Sequence, residues 1–261
     1  MNSACIRVLP RPPYYGHLIS SALKDMGYRI VSTPEQKPKE GDLLVLWNRY
    51  PRDERFTQLY EAAGARIIVV ENGYFGRNFR GEEWFAVALG QHNGAGSWPE
   101  PDRHRWNSLG VETSGEWQNK TNGEIVLLAT RGMGSDITRE PSGWLRRVEA
   151  SLRRKTGRTI RVRPHPGPQG AIPKVSLEDD LRNAWAAVTW ASSAGLKAIA
   201  MGIPVFYGLP KWIGGKAAHP ITHDIEDRFL GNPMPMFYGV ASAMWSLAEI
   251  KSGKAFRCLL T

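Results

Sequence analysis

The stretches Thr159-Ile-Arg-Val-Arg-Pro-His165-Pro-Gly167 and Ala186-Ala-Val-Thr-Trp-Ala-Ser192-Ser193-Ala-Gly195 decide the fold of this chain. Each is a short β-branched run that ends in a polar tip, and a helical segment separates the two. This is the pattern of a βαβ unit in a parallel sheet. Because ligands of open α/β sheets bind beyond the carboxyl ends of the strands, both tips should face one ligand. An imidazole, two hydroxyls and a helix N-terminus together suit a phosphate.

Strands and helices alternate along most of the remaining chain. Repeated βα units imply a parallel sheet that is covered by helices on both faces. The predicted strands cover residues 5–9, 42–48, 65–70 and 124–130, and the predicted helices cover residues 15–26, 52–63 and 144–155.

One segment breaks this alternation and divides the chain of 261 residues into two similar halves. Residues 78–122 are rich in Gly, Trp and His, which predicts irregular or short β structure. We therefore predict an α/β fold of two Rossmann-like domains that face a central cleft, with residues 1–118 in the first domain and 119–261 in the second. A helix predicted over residues 240–250 should pack back toward the first half, and His219-Pro220 is interpreted as loop.

Five polar tips follow predicted strands and should point toward this cleft. Polar residues are common wherever a strand leaves its sheet, so the argument depends on their combination. One half offers a carboxylate, and the other offers a basic glycine-rich turn, a histidine and hydroxyls, which are compatible with a phosphate. The tips are Glu71-Asn72-Gly73, Arg131-Gly132, His165-Pro166, Ser192-Ser193 and Gly208.

At these positions the chain resembles the GT-B glycosyltransferases that include bacterial sialyltransferases, capsule Kdo transferases and teichoic-acid polymerases. Those enzymes carry an acid-acid-Gly motif, a His-Pro motif and a Ser-Ser/Thr motif in this order, similar to Glu71-Asn72-Gly73, His165-Pro166 and Ser192-Ser193. The resemblance implies GT-B architecture and an inverting transfer of a hexosyl or related sugar from a nucleotide. Asn72 departs from the pattern by replacing the second acid. Lys197 stands where related sequences commonly have a ribose-binding glutamate, which leaves the nucleotide open.

The resemblance also implies roles for individual residues. Glu71 is the candidate base for the acceptor hydroxyl, and His165 is the candidate catalytic group beside the departing phosphate. The nucleotide sugar is a co-substrate, and no cofactor is expected. The structural alternatives are a solvated strand end for Glu71, loop packing for His165 and an ordinary helix cap for the pair Ser192-Ser193. The predicted donor site contains Arg131, Gly132, Arg163, His165, Pro166, Ser192, Ser193, Gly195 and Lys197, and the predicted acceptor site contains Asn72, Gly73, Tyr74, His92 and Asn93.

The net charge of +9 implies attraction to a polyanion or an anionic surface. The leading acceptor hypothesis is a hydroxymethylated pyrimidine in phage DNA, with the basic cluster at residues 146–158 on the phosphates. One alternative is a capsule or lipopolysaccharide transferase that acts on a glycan or glycolipid at a membrane surface. Another is a non-catalytic nucleic-acid-binding protein. The cluster could also be a solvated helix face.

Other classes of protein lack support in the sequence. Apolar runs fall short of the roughly 18–20 residues that span a bilayer, and no signal-peptide core is visible, which predicts a cytoplasmic protein. The two cysteines, Cys5 and Cys258, predict free thiols. The histidines have no cysteine companions, so no metal site is expected. A Walker loop and a nucleophile elbow are also missing.

Overall fold

The apolar runs of the sequence form the middle strands of two separate sheets. The computed structural model describes residues 1–167 and 174–261. It places strand Leu43–Trp47 inside the first sheet and strand Ala184–Thr189 inside the second. Every residue of Ala184–Thr189 is buried. This burial explains why the run is continuously apolar, since such a strand pairs on both sides and is covered on both faces.

The described residues contain twelve strands and nine α-helices in a mixed α/β arrangement. The strands are β1 (Ser3–Arg7), β2 (Arg29–Val31), β3 (Leu43–Trp47), β4 (Arg66–Asn72), β5 (Asn78–Phe79), β6 (Glu82–Leu89), β7 (Glu124–Leu128), β8 (Ile160–Arg163), β9 (Ala184–Thr189), β10 (Val205–Tyr207), β11 (His219–Pro220) and β12 (Met244–Ser246). The helices are α1 (Gly16–Asp25), α2 (Glu54–Ala62), α3 (Arg103–Leu109), α4 (Trp144–Lys155), α5 (Leu177–Leu181), α6 (Ser193–Ala200), α7 (Met234–Ala243), α8 (Leu247–Lys251) and α9 (Lys254–Leu260).

The two sheets differ in strand direction. The first has the order β12-β6-β4-β3-β1-β2, with β5 added on β6. Its strands β1 to β4 are parallel, and β6 runs antiparallel to both of its neighbours, β4 and β12. The second has the order β11-β10-β9-β7-β8 and is parallel throughout. Parallel strands end at a common edge, so each sheet presents one edge of strand tips. No helix in the described part of the chain is long and apolar enough to cross a membrane.

Residues 78–122 are more regular than we predicted. They contain the eight-residue strand β6, whose register with β4 pairs Glu71 with Ala86, and helix α3. Local signals for α3 exist in the sequence. The carboxylate of Asp102 caps the helix by accepting from the backbone N–H groups of His104 and Arg105, and Gly110 ends it in the left-handed conformation. His219-Pro220, interpreted as loop, is strand β11 beside β10.

The prediction of one helix over residues 240–250 is wrong for residues 244–246, which form a strand. Helix α7 ends at Ala243, and Met244–Ser246 extends as β12 antiparallel to β6 before α8 begins. Ser246 starts α8 through a capping box with Glu249. Sheet pairing of Trp245 with Phe85 overrides the local helical pattern, because it closes the edge of the first sheet. Helix α8 contacts α1 and β6 in the first half of the chain.

Arg105 fastens this C-terminal segment to α3. Its guanidinium donates to both carboxylate oxygens of Glu249 at 2.7 Å, to the backbone oxygens of Ala241 and Met244, and stacks over the Trp245 ring at 4.0 Å. Burial opposes ionisation of Glu249, but the hydrogen bonds from Arg105 and Ser246 outweigh it and lower the pKa of Glu249 to about 2. The ion pair therefore stabilises the fold at neutral pH.

We expect Glu249→Gln to lower the free energy of unfolding by up to about 3 kcal/mol at neutral pH. The folded pKa lies below the unfolded value, so this contribution is present above about pH 4.5 and is lost as the pH falls through 2. Urea unfolding at several pH values measures the difference, which should shrink in acid. The control is Glu35→Gln, which breaks the exposed pair with Arg29 and should change stability by less than about 1 kcal/mol. Equal effects of the two substitutions would contradict this account.

Candidate functional site

A cavity of about 190 Å³ lies where the strand tips of the two sheets meet. Residues that follow β3 and β4 line it from the first sheet, and residues that follow β7, β8 and β9 line it from the second. We call this cavity the central cleft. The predicted site residues that line it are Glu71, Asn72, Gly73, Tyr74, His92, Asn93, Arg131, His165, Ser192 and Ser193.

The carboxyl group of Glu71 is enclosed at the end of β4. The Tyr74 hydroxyl donates to its Oε1 at 3.1 Å, and the backbone N–H groups of Asn93 and Gly94 also donate to it. Burial nevertheless dominates over these three donors and raises the pKa of Glu71 to about 7. A carboxyl group with this pKa can hold or release a proton near neutral pH, which is what a general base or acid requires.

The turn at residues 92–94 connects the two halves of the cleft. Asn93 and Gly94 both have positive φ, which aims their N–H groups at Glu71. On the opposite side, Asn93 Nδ2 donates to the backbone oxygen of Met133 at 3.1 Å, and the N–H of Ile213 donates to the backbone oxygen of Gly94 at 2.6 Å. A Cβ on Gly94 would lie 2.5 Å from Ile213 Cγ2, so the close approach requires glycine.

His92 is the first residue of this turn and is almost completely buried. Its Nδ1 accepts a hydrogen bond from the backbone N–H of Arg49 at 3.3 Å. Burial and the neighbouring Arg49 cation lower the pKa of His92 to about 4, so the ring is neutral at physiological pH. Since Nδ1 accepts, the proton is on Nε2, which has no hydrogen-bond partner in the described residues. His92 therefore brings an uncharged ring to the wall of the cleft, with its Nε2 closed to solvent.

His165 projects from the end of β8 on the opposite side. Its Nδ1 accepts from the backbone N–H of Gly167 at 3.1 Å, which leaves the proton on Nε2 when the ring is neutral. Partial burial and the Arg131 cation lower the pKa of His165. The neutral ring can therefore donate from Nε2 to an oxygen of a ligand.

Ser192 and Ser193 differ in their contacts and exposure. Ser192 is the N-cap of α6, and its Oγ accepts from the backbone N–H of Ala194 at 3.1 Å. The helix-cap alternative for this residue is thus observed, although Ser192 also lines the cleft. Ser193 is the first residue of α6 and is exposed at the cleft. Its hydroxyl and the positive end of α6 can meet an anionic group.

The turn after β7 supplies the cation of the site. Arg131 is exposed at the cleft, and none of its guanidinium nitrogens forms an ion pair with the described residues. The Thr130 hydroxyl holds the turn, since it donates to Glu140 at 2.6 Å and accepts from the N–H of Gly132 at 3.3 Å. Gly132 has positive φ and does not line the cleft.

A second cavity of about 330 Å³ continues from the cleft past α6. His165, Ser192 and Ser193 line both cavities, whereas the predicted donor-site residues Pro166, Lys197 and Arg163 line only the second. The guanidinium of Arg163 pairs with Asp180, so part of its charge is already compensated.

Gly195 lines neither of these two cavities. A Cβ there would lie 2.9 Å from the Trp212 ring and 3.1 Å from Thr189 Cγ2, so the absence of a side chain lets α6 pack closely. The observed surroundings of this predicted donor-site residue are thus those of a packing position.

The predicted site left out seven residues that line the cleft: Asn48, Thr130, Met133, Trp190, Ala191, Leu196 and Trp212. Asn48 directly follows β3, so the rule that found the other strand tips could also have found it. Its side chain donates to the Tyr50 hydroxyl at 3.0 Å. Trp190 ends an apolar run, a position typical of a core residue, but it lies at the strand tip, where its Nε1 donates to the Thr138 oxygen at 2.8 Å.

Comparison with known proteins identifies structures with a similar fold and does not assign the chain to a family. No protein-family model and no curated protein matches the sequence. Solved structures do match. The beta Kdo 2,7 transferase of Thermosulfurimonas dismutans KpsC superposes with a TM-score of 0.59 at 13% identity, covering 98% of this chain and 100% of that chain. The beta Kdo 2,4 transferase of the same protein gives 0.56 at 16% identity, covering 96% and 97%. At these identities the likeness shows a shared fold.

We expect the ionised Glu71 carboxyl to reduce the stability of the fold. The folded pKa of about 7 exceeds the unfolded value, so folding favours the protonated carboxyl group. The contribution of the protonated group to stability is complete below about pH 4.5 and is lost as the pH rises through 7. Glu71→Gln should therefore raise the free energy of unfolding by about 2–3 kcal/mol near pH 9 and change it little near pH 5. Urea unfolding at both pH values measures this. The control, Glu82→Gln on the exposed start of β6, should show no such pH dependence. Destabilisation by Glu71→Gln near pH 9 would refute the buried, destabilising carboxylate.

Proposed function

We propose that this protein is a nucleotide-sugar-dependent, inverting glycosyltransferase of GT-B type, with residues 1–118 on the acceptor side and 119–261 on the donor side. One observation carries the proposal. A carboxyl group with a pKa near 7 and a set of phosphate-compatible groups line the same cleft from opposite sheets. The two solved neighbours are sugar transferases and share the fold over nearly the whole chain.

In this proposal Glu71 is the base. The acceptor hydroxyl loses its proton to Glu71 while its oxygen forms a bond to the anomeric carbon of the donor. Attack comes from the side of the first sheet, opposite the phosphate, which inverts the anomeric configuration. His92 and Asn93 line the cleft near Glu71, on the side where the acceptor would bind, and the Tyr74 hydroxyl holds the carboxylate of Glu71 in position.

The second sheet stabilises the leaving group. As the bond from the anomeric carbon to the phosphate oxygen breaks, its electron pair goes to the nucleotide phosphate. His165 Nε2–H, the Ser193 hydroxyl, the first turn of α6 and the Arg131 guanidinium then supply hydrogen bonds and positive charge where the negative charge develops. These groups are fixed before the reaction by the Gly167 contact and the Ser192 cap, so little reorganisation is needed.

The second cavity is suited to the nucleoside part of the donor. It adjoins the phosphate groups through His165 and Ser193 and extends to Lys197 on α6 and Glu178 on α5. The lysine and the carboxylate offer both a donor and an acceptor for ribose or base. In the related sequences a glutamate commonly occupies the position of Lys197, so recognition of the nucleoside differs in this chain.

The acceptor that we propose is a glycan or glycolipid. Both solved neighbours are described as Kdo transferases, and neither comparison supports a DNA acceptor. The local basic cluster that suggested DNA lies on α4, where Arg146, Arg147, Arg153, Arg154 and Lys155 are exposed. Arg153 pairs with Glu149 on the same helix. The cationic face of α4 also suits an anionic membrane that carries a glycolipid acceptor.

We expect Glu71→Gln to abolish sugar transfer while the affinity for the nucleotide stays nearly unchanged. The base acts on the acceptor from the first sheet, whereas the phosphate groups belong to the second. Calorimetric titration with UDP, GDP, CDP and CMP identifies the donor class, and turnover with the corresponding sugar nucleotide measures transfer. The wild-type rate should rise about tenfold per pH unit below pH 7 and level off above it, because the ionised base is required.

Two further variants sharpen this test. Tyr74→Phe removes a hydrogen bond that lowers the pKa of Glu71, so the inflection of the rate profile should move to higher pH. His165→Ala should weaken both nucleotide binding and turnover. No binding of any nucleotide would favour the non-catalytic protein, and full activity of Glu71→Gln would show that the base lies elsewhere.

We expect label from a radioactive sugar nucleotide to enter a glycolipid fraction, and we expect the protein to sediment with vesicles that contain anionic lipid. Replacing Arg146, Arg154 and Lys155 by Glu should reduce this sedimentation at least tenfold, because each cation near the surface contributes about 1 kcal/mol. The matched control replaces the exposed residues Lys24, Lys37 and Lys251, an equal change of charge elsewhere, and should retain binding. Label found only in hydroxymethylpyrimidine DNA would overturn the glycan acceptor.

A further inference from the structure

The structure assigns a divalent transition-metal site, with zinc as the best-suited ion, to His219, His223 and Asp227. These residues lie at the edge of the second sheet, and none of them lines the central cleft. One ligand atom from each falls within 4.8 Å of the others. The expectation that the chain has no metal site overlooked the spacing of four positions between the two histidines.

The chain reaches this arrangement through two consecutive turns after β11. His219 is held in β11 by pairing with Phe206 of β10. The N–H of His223 donates to the Pro220 oxygen at 2.9 Å and returns the chain toward β11. The N–H of Asp227 then donates to the Asp224 oxygen at 3.1 Å. Ile225, between the turns, is buried in the core under α4, so the segment is anchored on the inner side.

The three side chains converge without bonding to one another. The two imidazole rings stack with centroids 4.6 Å apart and planes only 7° from parallel. Within the described residues, no hydrogen bond occupies a ring nitrogen of either histidine, and no lysine, arginine or histidine forms an ion pair with Asp227. The nearby cation Arg158 pairs instead with Glu226. Three sets of lone pairs are therefore available at one place.

Two imidazoles and a carboxylate form a donor set that binds zinc and its neighbours in the first transition row. Tetrahedral zinc needs ligand atoms about 3.3 Å apart, because its bonds to nitrogen and oxygen are about 2.0–2.2 Å long. His223 and Asp227 are exposed, so small side-chain rotations can close the remaining distance. Three protein ligands leave the fourth position for water.

A bound ion would connect the first and last residues of the segment 219–227 and fasten it to strand β11. This strand has only two residues and is the outer strand of its sheet. Because a metal that binds only the folded chain stabilises it by mass action, zinc should protect this edge against unfolding. The site is structural and independent of the proposed sugar transfer.

We expect isothermal titration of the full-length protein with ZnCl₂ to show one site with a dissociation constant in the micromolar range or below. Zinc should raise the melting temperature by several degrees. His219→Ala and His223→Ala should each weaken binding at least tenfold, and Asp227→Asn should weaken it less. Co²⁺ should give visible absorption bands of tetrahedral geometry that the histidine variants lose.

The matched control is His104→Ala, which removes an exposed histidine on α3 and should leave zinc binding unchanged. His165→Ala removes the exposed histidine of the central cleft, and the zinc affinity of this variant should also match that of the wild type. Binding that survives in both His219→Ala and His223→Ala, or no saturable binding at 100 μM zinc, would overturn the site. Far-UV circular dichroism of each variant separates loss of ligands from loss of folding.

Discussion

The enclosure of one carboxyl group by a tight turn is the constraint on which the cleft depends. Glu71 ends a buried strand, and the turn at residues 92–94 closes over it with two backbone N–H groups. The same turn bonds to Met133 and Ile213 in the second half of the chain. The turn that donates hydrogen bonds to the buried carboxyl group thus also joins the two halves of the cleft.

This arrangement requires stabilising contacts in the structure around Glu71. A buried carboxyl group whose pKa lies near 7 destabilises the fold when it ionises, as functional groups often do. Other contacts offset that effect. Arg49, almost fully buried, donates to the Gly90 oxygen and to Glu61 and so supports the segment that leads into the turn. Arg105 and Glu249 secure the C-terminal strand on the sheet that carries Glu71.

The two sides of the cleft use different electrostatics, and this difference gives the site its chemical direction. On the first side, burial keeps His92 neutral and Glu71 poised between its two protonation states. On the second side, positive charge dominates, because Arg131 and the start of α6 are exposed to the cleft and the first turn of α6 contains no acidic residue. An anionic leaving group belongs on the second side, and a neutral hydroxyl that must lose a proton belongs on the first.

The sequence by itself determined the buried central strands and the polar residues at their ends. Continuous apolar runs such as Leu43–Trp47 and Ala184–Thr189 can satisfy their backbone only inside a covered sheet, so their place follows from composition. Parallel pairing then brings Glu71, His165 and Ser193 to strand tips, and all three line the cleft. The same reasoning applied to Asn48 would have added it as well.

Only the tertiary structure decided the properties that depend on contacts between distant parts of the chain. The pKa of Glu71 is raised by burial, against the lowering effect of the N–H donors of residues 93 and 94, and no local pattern around Glu71 contains that information. Met244–Ser246 is a strand because the edge of β6 is open to it, although the local sequence favours a helix. The spacing of His219 and His223 was visible, but only two turns anchored by Ile225 bring Asp227 beside them. Periodicity reports which face of an element is buried, whereas desolvation and strand pairing depend on what packs there.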